Sequence, residues 1–254
     1  MKFRELQHGV VDSTSERAFA ALEAGEARHG DVHIARGQTS GRGRQGRPWH
    51  SQPDEGLYMS LVLLPEPPAY RAPAITIAAG LAVVEALCDL GLPPFGEQSP
   101  WLDWPNDAMV GTAKIAGILT ESRGLDLERP HYVLGLGLNV RQLHFPGQLE
   151  AEREVTSLSR LGLDRTAGEA LTAVLARLGP RLEQVRGEHR RLAEDYLAAS
   201  RLADREVVVR VGSEVHGGRL VGLSLTDGLE LLLPGGRREL LPIEFVRSVE
   251  ALPG

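Results

Sequence analysis

The sequence predicts an α+β protein: a mixed β-sheet with flanking helices over about residues 1–200, followed by a small β-barrel over about 203–254. Three observations predict it. Short apolar runs bounded by Gly, Pro and Asn alternate with stretches of helical period up to about residue 200. From Arg201 onward, apolar and polar residues alternate between Gly-rich turns, the pattern of about five short strands. The chain has 254 residues, 42% hydrophobic and 24% charged, enough for one domain with a packed core and a smaller one beside it.

DSTSERAFAALEAGEA predicts the first helix, and Ser13 with Glu16 three residues later has the form of a capping box. GDVHIARGQTS reads as a short strand, about 32–36, that runs into GRGRQGRPWH, 41–50. GLYMSLVLLP, 56–65, is a strand ending at prolines. APAITIAAGLAVVEALCDLG, 72–91, has apolar residues at helical period and a terminal Gly, so it predicts a buried helix in which Cys88 is a small buried hydrophobe. WLDWPNDAMV is a strand broken by a turn, because Pro105 has no N–H for a ladder and Asn106 and Asp107 favour a tight turn. KIAGILTES and HYVLGLGLNV are two more strands. Residues 141–158 are polar around a Pro-Gly step, a loop or a weak element, and 166–199 carry two helices.

Composition excludes several classes. One cysteine permits no intramolecular disulfide and suits a reducing, cytoplasmic setting. MKFRELQHGV has no apolar leader core, and no run reads as a bilayer span. Eight histidines without HExxH or paired ligand spacing predict no structural zinc. The net charge of -6 argues against a broad nucleic-acid surface.

Against that acidic background, Arg42, Arg44 and Arg47 alternate with Gly41, Gly43 and Gly46. Glycine lets backbone N–H groups approach a ligand, and arginine offers a planar fork for phosphate or carboxylate, so the loop reads as an anion cradle. A solvated turn or a basic nucleic-acid finger is the plainer alternative. WPND, Trp104–Asp107, is by itself a hairpin connection, but Lys114 follows seven residues after Asp107, where an ammonium would neutralise phosphate charge. In GLGLNV, 135–140, two glycines in an apolar strand suggest a close approach of backbone or ligand, with Asn139 at the strand end.

The order DST, then Q-x-x-G-R-G-R-x-G-R-x-W, then WPND, K-x-x-G-I-L and G-x-G-x-N resembles the biotin protein ligase family over roughly 10–160. The resemblance implies a class II synthetase-like catalytic domain over 1–202 that binds biotin and ATP, and an SH3-like β-barrel over 203–254. It implies a two-step reaction with Mg2+: biotin and ATP give biotinyl-5′-AMP, and a lysine of a biotin carboxyl carrier protein then takes the biotin. By position, Ser13, Thr14, Ser15 and Gln38 match the residues around the biotin ureido ring, although Ser13 and Thr14 can equally cap the helix. Gly41, Arg42, Gly43 and Arg44 match the loop that closes over biotin and the adenylate; Arg47 and Trp49 match positions near phosphate and adenine. Asn106 and Asp107 fall on the nucleotide side, with Asp107 a magnesium ligand. Lys114 matches the lysine between the biotin carboxylate and the α-phosphate, and with Arg44 is the expected catalytic pair. Gly117 and Asn139 line the same pocket, and Arg247 matches an arginine of the terminal barrel facing the nucleotide.

The chain departs from the family pattern twice. Asp103 stands where a lysine usually precedes WPND, and Ser15 where DSTN has asparagine. The DST element comes at residue 12, so a ligase without a helix-turn-helix domain, with no operator binding and no membrane association, is expected. Pairing of two copies through the main sheet edge stays open. A lipoate or octanoyl enzyme of the same superfamily, and a carrier-binding protein without catalysis, are the alternatives.

Overall fold

The computed structural model describes residues 1–64, 72–123, 130–187 and 189–252. Seven strands form the main sheet: β1 (Arg4–Val11), β2 (Asp31–Gln38), β3 (Gly56–Leu63), β4 (Pro100–Asp103), β5 (Asp107–Val110), β6 (Ala113–Glu121) and β7 (Tyr132–Asn139). Their order is β1-β2-β3-β7-β6-β5-β4, with β1 and β2 parallel and every other pair antiparallel. The proline end assigned to β3 falls at Pro65, outside the described residues. β1 has no counterpart in the sequence reading. RELQHGVV is an edge strand, exposed over much of its length, so it lacks the apolar alternation that marks its neighbours.

The helices are α1 (Thr14–Glu23), α2 (Ala72–Asp89), the short α3 (Gly147–Glu152), α4 (Ala167–Gln184) and α5 (His189–Ser200). α2 is long and apolar enough to cross a bilayer, contrary to the expectation that no run is, yet 61% of it is buried within the protein. It packs with α4 on the sheet face that carries Met59, Leu61, Ile118, Leu136 and Leu138, and this is the main core. Cys88 lies at the half-buried margin of α2 rather than in the core, because it follows Leu87 round to the side bearing Glu85 and Asp89.

Directly opposed residues on neighbouring strands point to the same face. The other face therefore carries Ser60 against Gly135, and Tyr58 against Gly137 against Gly117. α1 covers part of it with Ala18 and Phe19 on Val62 and Val133. Beyond α1 the glycines leave the sheet without side chains. The alternation in GLGLN is thus leucine to the core and glycine to the opposite face.

The Ser13 capping box does not form. Ser13 flanks α1 but makes no side-chain cap bond, and the Glu16 carboxylate instead takes Arg123 at 2.6 and 2.9 Å and Arg42 at 2.5 Å. Two guanidinium groups offer stronger, charge-assisted bonds than one backbone N–H. Thr166 and Glu169 form the reciprocal box, at the start of α4.

The C-terminal strands are β8 (Glu206–Val211), β9 (Glu214–Ser224), β10 (Gly228–Leu232), β11 (Arg238–Leu241) and β12 (Val246–Ala251). They form an antiparallel sheet in the order β11-β10-β9-β8-β12. Among the described residues no ladder joins β11 to β12, so these two strands are the edges of the sheet. Val207, Val209, Leu220, Leu229 and Leu231 are fully buried in a core continuous with that of α2.

Candidate active site

The site has a neutral end and a charged end on the glycine-bearing face. At the neutral end, the Thr14 N–H donates to Gln38 Oε1 at 2.8 Å, and the Thr14 hydroxyl reaches the same oxygen at 3.2 Å. Ser60 of β3 lies 2.8 Å from Thr14 Oγ1 and 3.1 Å from Ser15 Oγ. Gln38 Nε2 donates to Ser51 Oγ at 2.9 Å, and Ser51 donates to the Trp49 carbonyl at 3.1 Å. Ser13, Thr14, Ser15, Ser51 and Ser60 are all buried. Gly41 closes this end: a Cβ there would lie 2.7 Å from the Trp49 carbonyl and 2.9 Å from Gln38 Nε2.

The arginine loop runs from this cluster along the sheet. Arg42 turns away to pair with Glu16, while Arg47 is exposed. The Trp49 indole packs against the opposed pair Gly117 and Gly137. A Cβ on Gly137 would fall 2.3 Å from the indole, and one on Gly117 2.9 Å from it, so only glycine permits this packing. The Trp49 Nε1–H is buried with no partner.

Lys114 begins the charged end, with Nζ 5.3 Å from the centre of the Trp49 ring. It sits at a bulge between β5 and β6, where the register shifts at Ala108/Met109. Bulges redirect a side chain. Its ammonium is 2.5 Å from Asp107 Oδ1, and Arg153 donates to Asp107 Oδ2 at 3.0 Å. Burial pushes the Lys114 ammonium below the ordinary lysine range, and the Asp107 carboxylate opposes that shift. Asp103 is pushed above the usual carboxylate range by burial and by neighbouring Asp107.

Arg44 joins the same turn: its Nη1 donates to Asn106 Oδ1 at 3.2 Å, one residue before Asp107. Asn106 also donates to the Ile118 carbonyl at 2.7 Å, which fixes the turn to β6. Arg44 and Asn106 line a cavity of about 250 Å3 together with Ala72, Thr76, Ile243 and Glu244. Lys114 is not among its walls; it meets Arg44 through the Asn106–Asp107 step. Arg247 is exposed on β12, next to Val246, which lines that cavity.

Two expected contacts read differently. Asn139 is buried and donates to the Thr156 carbonyl at 2.9 Å, so it fixes the 153–158 segment rather than presenting its amide to the pocket. Both oxygens of Asp107 are held by cations, and among the described residues no group of three His, Cys, Asp or Glu side chains could hold a metal ion. Direct magnesium ligation by Asp107 does not fit this arrangement. Ser51, Ser60 and Arg153 are site residues that the sequence reading missed. Ser60 alone had a signal, as the one polar residue inside an apolar strand.

A hydroxyl-lined end, an arginine–glycine loop and a strand-borne lysine share one sheet face, and the chain belongs to the Biotin/lipoate A/B protein ligase family, whose sequence profile matches residues 8–139. It is 34% identical over 234 residues to the biotin--[acetyl-CoA-carboxylase] ligase of Mycobacterium tuberculosis, covering 90% of this chain and 82% of that protein. It is 36% identical over 147 residues to the bifunctional ligase/repressor BirA of Bacillus subtilis, covering 57% of this chain. That match spans only 43% of BirA. Among solved structures, the biotin protein ligase from Aquifex aeolicus in complex with biotin and ATP superposes with a TM-score of 0.78 at 29% identity, covering 98% of this chain and 99% of that one.

Proposed function

We propose that the chain is a cytoplasmic, ATP-dependent biotin protein ligase, which forms biotinyl-5′-AMP and passes biotin to a lysine of a biotin carboxyl carrier protein. The observation that carries this reading is that Arg44 and Lys114 converge on adjacent residues, Asn106 and Asp107, beside a buried hydroxyl cluster. The neutral end suits the ureido ring, whose donors and acceptors can exchange with Thr14, Ser15, Gln38 and Ser60. A lipoyl ring offers none, and a site built to hydrogen-bond its ligand rejects an analogue that cannot reciprocate. Lys114 then lies where the acid end of the ligand meets the nucleotide, and its ammonium stabilises charge growing on the α-phosphate. Arg44 draws the glycine loop down onto the Asn106 turn, which keeps water from the mixed anhydride. Magnesium, if it accompanied the nucleotide, would supply further charge neutralisation beside Lys114 and Arg44. The outer edge of β1 is the place where two copies would pair. The acidic charge of the chain speaks against an operator-binding role.

The test is mass spectrometry of a biotin carrier domain incubated with this protein, MgATP and biotin. The expected result is one added biotinyl group, absent without ATP and absent when lipoate replaces biotin. An unmodified carrier, with no pyrophosphate released, would remove the reading.

A further inference from the structure

We propose that Arg153 is a second phosphate-contacting cation of this site, holding Asp107 through Nη2 while its remaining N–H groups take the polyphosphate of the nucleotide. The inference rests on the nucleotide-binding reading above and assigns a role to a residue outside every sequence motif.

The backbone delivers Arg153 to the charged end. Residues 154–156 lie against the bulge at Lys114: the Lys114 N–H donates to the Glu154 carbonyl at 2.9 Å, and the Thr156 N–H donates to the Lys114 carbonyl at 2.9 Å. Val155 completes a parallel bridge to Lys114. Asn139 clamps the Thr156 carbonyl from β7. The segment thus moves with the catalytic lysine, and the residue just before it reaches Asp107.

Arg153 adds positive charge at this end, beside Lys114 and the Arg44 of the arginine loop. Asp103 and Asp107 are two carboxylates flanking the WPND turn, and Lys114 alone would leave the group with a surplus negative charge. Such a group repels a triphosphate. With Arg153 the cations Arg44, Lys114 and Arg153 outnumber the two carboxylates, and each Asp107 oxygen has its own cation. When an anion enters, Lys114 can turn an N–H toward it while Asp107 stays paired.

Arg153 also has donors to spare. A guanidinium carries five N–H groups, and the Asp107 bond uses one. Its Nε is buried and without a partner, although the side chain as a whole keeps 33% of its surface open. A buried N–H left unpaired is costly, and phosphate oxygens are the acceptors best matched to a guanidinium fork.

The experiment compares the wild-type protein with R153Q and R153K. Calorimetry reads MgATP and biotin binding separately, and pyrophosphate release reads KM for ATP against kcat. R153Q should weaken MgATP binding and raise its KM about tenfold or more, corresponding to one lost charge-assisted contact. Biotin affinity should stay within twofold, and R153K should recover part of the ATP loss. Unchanged MgATP affinity in R153Q overturns the proposal. So does an equal loss of biotin and ATP affinity, which marks a structural role, or an R153K no better than R153Q. If the wild-type protein binds MgATP but neither binds biotin nor releases pyrophosphate, the ligase reading fails, while the comparison of MgATP affinities still decides the role of Arg153.

Discussion

The two ends of the site solve opposite problems. At the neutral end, Thr14, Ser15, Gln38, Ser51 and Ser60 are uncharged and bond to one another, on α1, β2, β3 and the loop between the strands. Buried neutral groups are sustainable wherever each finds a partner, so regular elements can carry them. At the charged end, Asp103, Asp107, Lys114 and Arg153 come from a strand end, a bulge and a docked loop. Buried charge must be paired to be tolerated, and pairing four ionic groups needs irregular backbone that aims each one separately. One end is therefore ready for its ligand as built. The other pairs its charges among its own residues and must share them when an anion arrives.

The sharpest way to break the comparison is Lys114→Ala. Its ammonium is assigned to charge that grows during reaction, so pyrophosphate release should fall by at least about 100-fold. Biotin affinity should change only a few-fold, because no bond of the hydroxyl cluster passes through Lys114. The fold should hold, since Asp107 keeps Arg153. Pyrophosphate assays, biotin calorimetry and a thermal melt check the three parts. Release within tenfold of wild type removes Lys114 from the chemistry, and a matching loss of biotin affinity shows that the two ends are not separate.

Ser60→Ala tests the other end. Ser60 is the shared partner of Thr14 and Ser15, and its loss frees two buried hydroxyls. One such disrupted contact costs about 1–2 kcal/mol, so biotin affinity should drop about tenfold while KM for ATP stays put. A shift in both constants would mean that the hydroxyl cluster also positions the nucleotide.

The same contrast explains what the sequence disclosed. The elements α2, β3 and β7 are legible because α2 and β3 are almost wholly apolar runs and β7 sets leucines against glycines in alternation. The arginine loop, WPND and Lys114 are legible because their composition is improbable for a core. β1 escaped notice because an exposed edge strand carries little alternation, and Ser13–Glu16 was misread because the competitors for Glu16, Arg42 and Arg123, lie far along the chain. Arg153 lay in a polar stretch indistinguishable from any loop. Its place is set by backbone bonds of Glu154 and Thr156 to the distant Lys114, and local pattern holds no trace of those.

A third effect, on stability rather than on catalysis, concerns a proton at the neutral end. His33 on β2 lies directly opposite Ser60 and stacks on His8 of β1, with ring centres 5.3 Å apart and planes at 6°. His8 Nε2 is 3.1 Å from His33 Nδ1, and His33 Nε2 is buried without a partner. Burial first, and His8, Arg4 and Arg17 beside it, hold His33 down to about 4 against the partial counter-effect of Asp31. The unfolded chain takes up this proton near the ordinary value of 6.5, and the folded protein does so only near 4. Between those values the unfolded state binds more protons, so stability rises with pH across that window and is lost as pH falls through it. From pH 7 to pH 5 the loss assignable to His33 is up to about 2 kcal/mol. Asp103, raised by burial, acts in the opposite sense, so the informative quantity is the difference between wild type and His33→Phe, which keeps a stacked ring and removes the titration. Urea unfolding at pH 7 and pH 5 should show the variant losing less stability than the wild type on acidification. Equal losses would show that His33 takes up its proton without hindrance in the folded protein, and the neutral end would then tolerate a charge that its construction argues against.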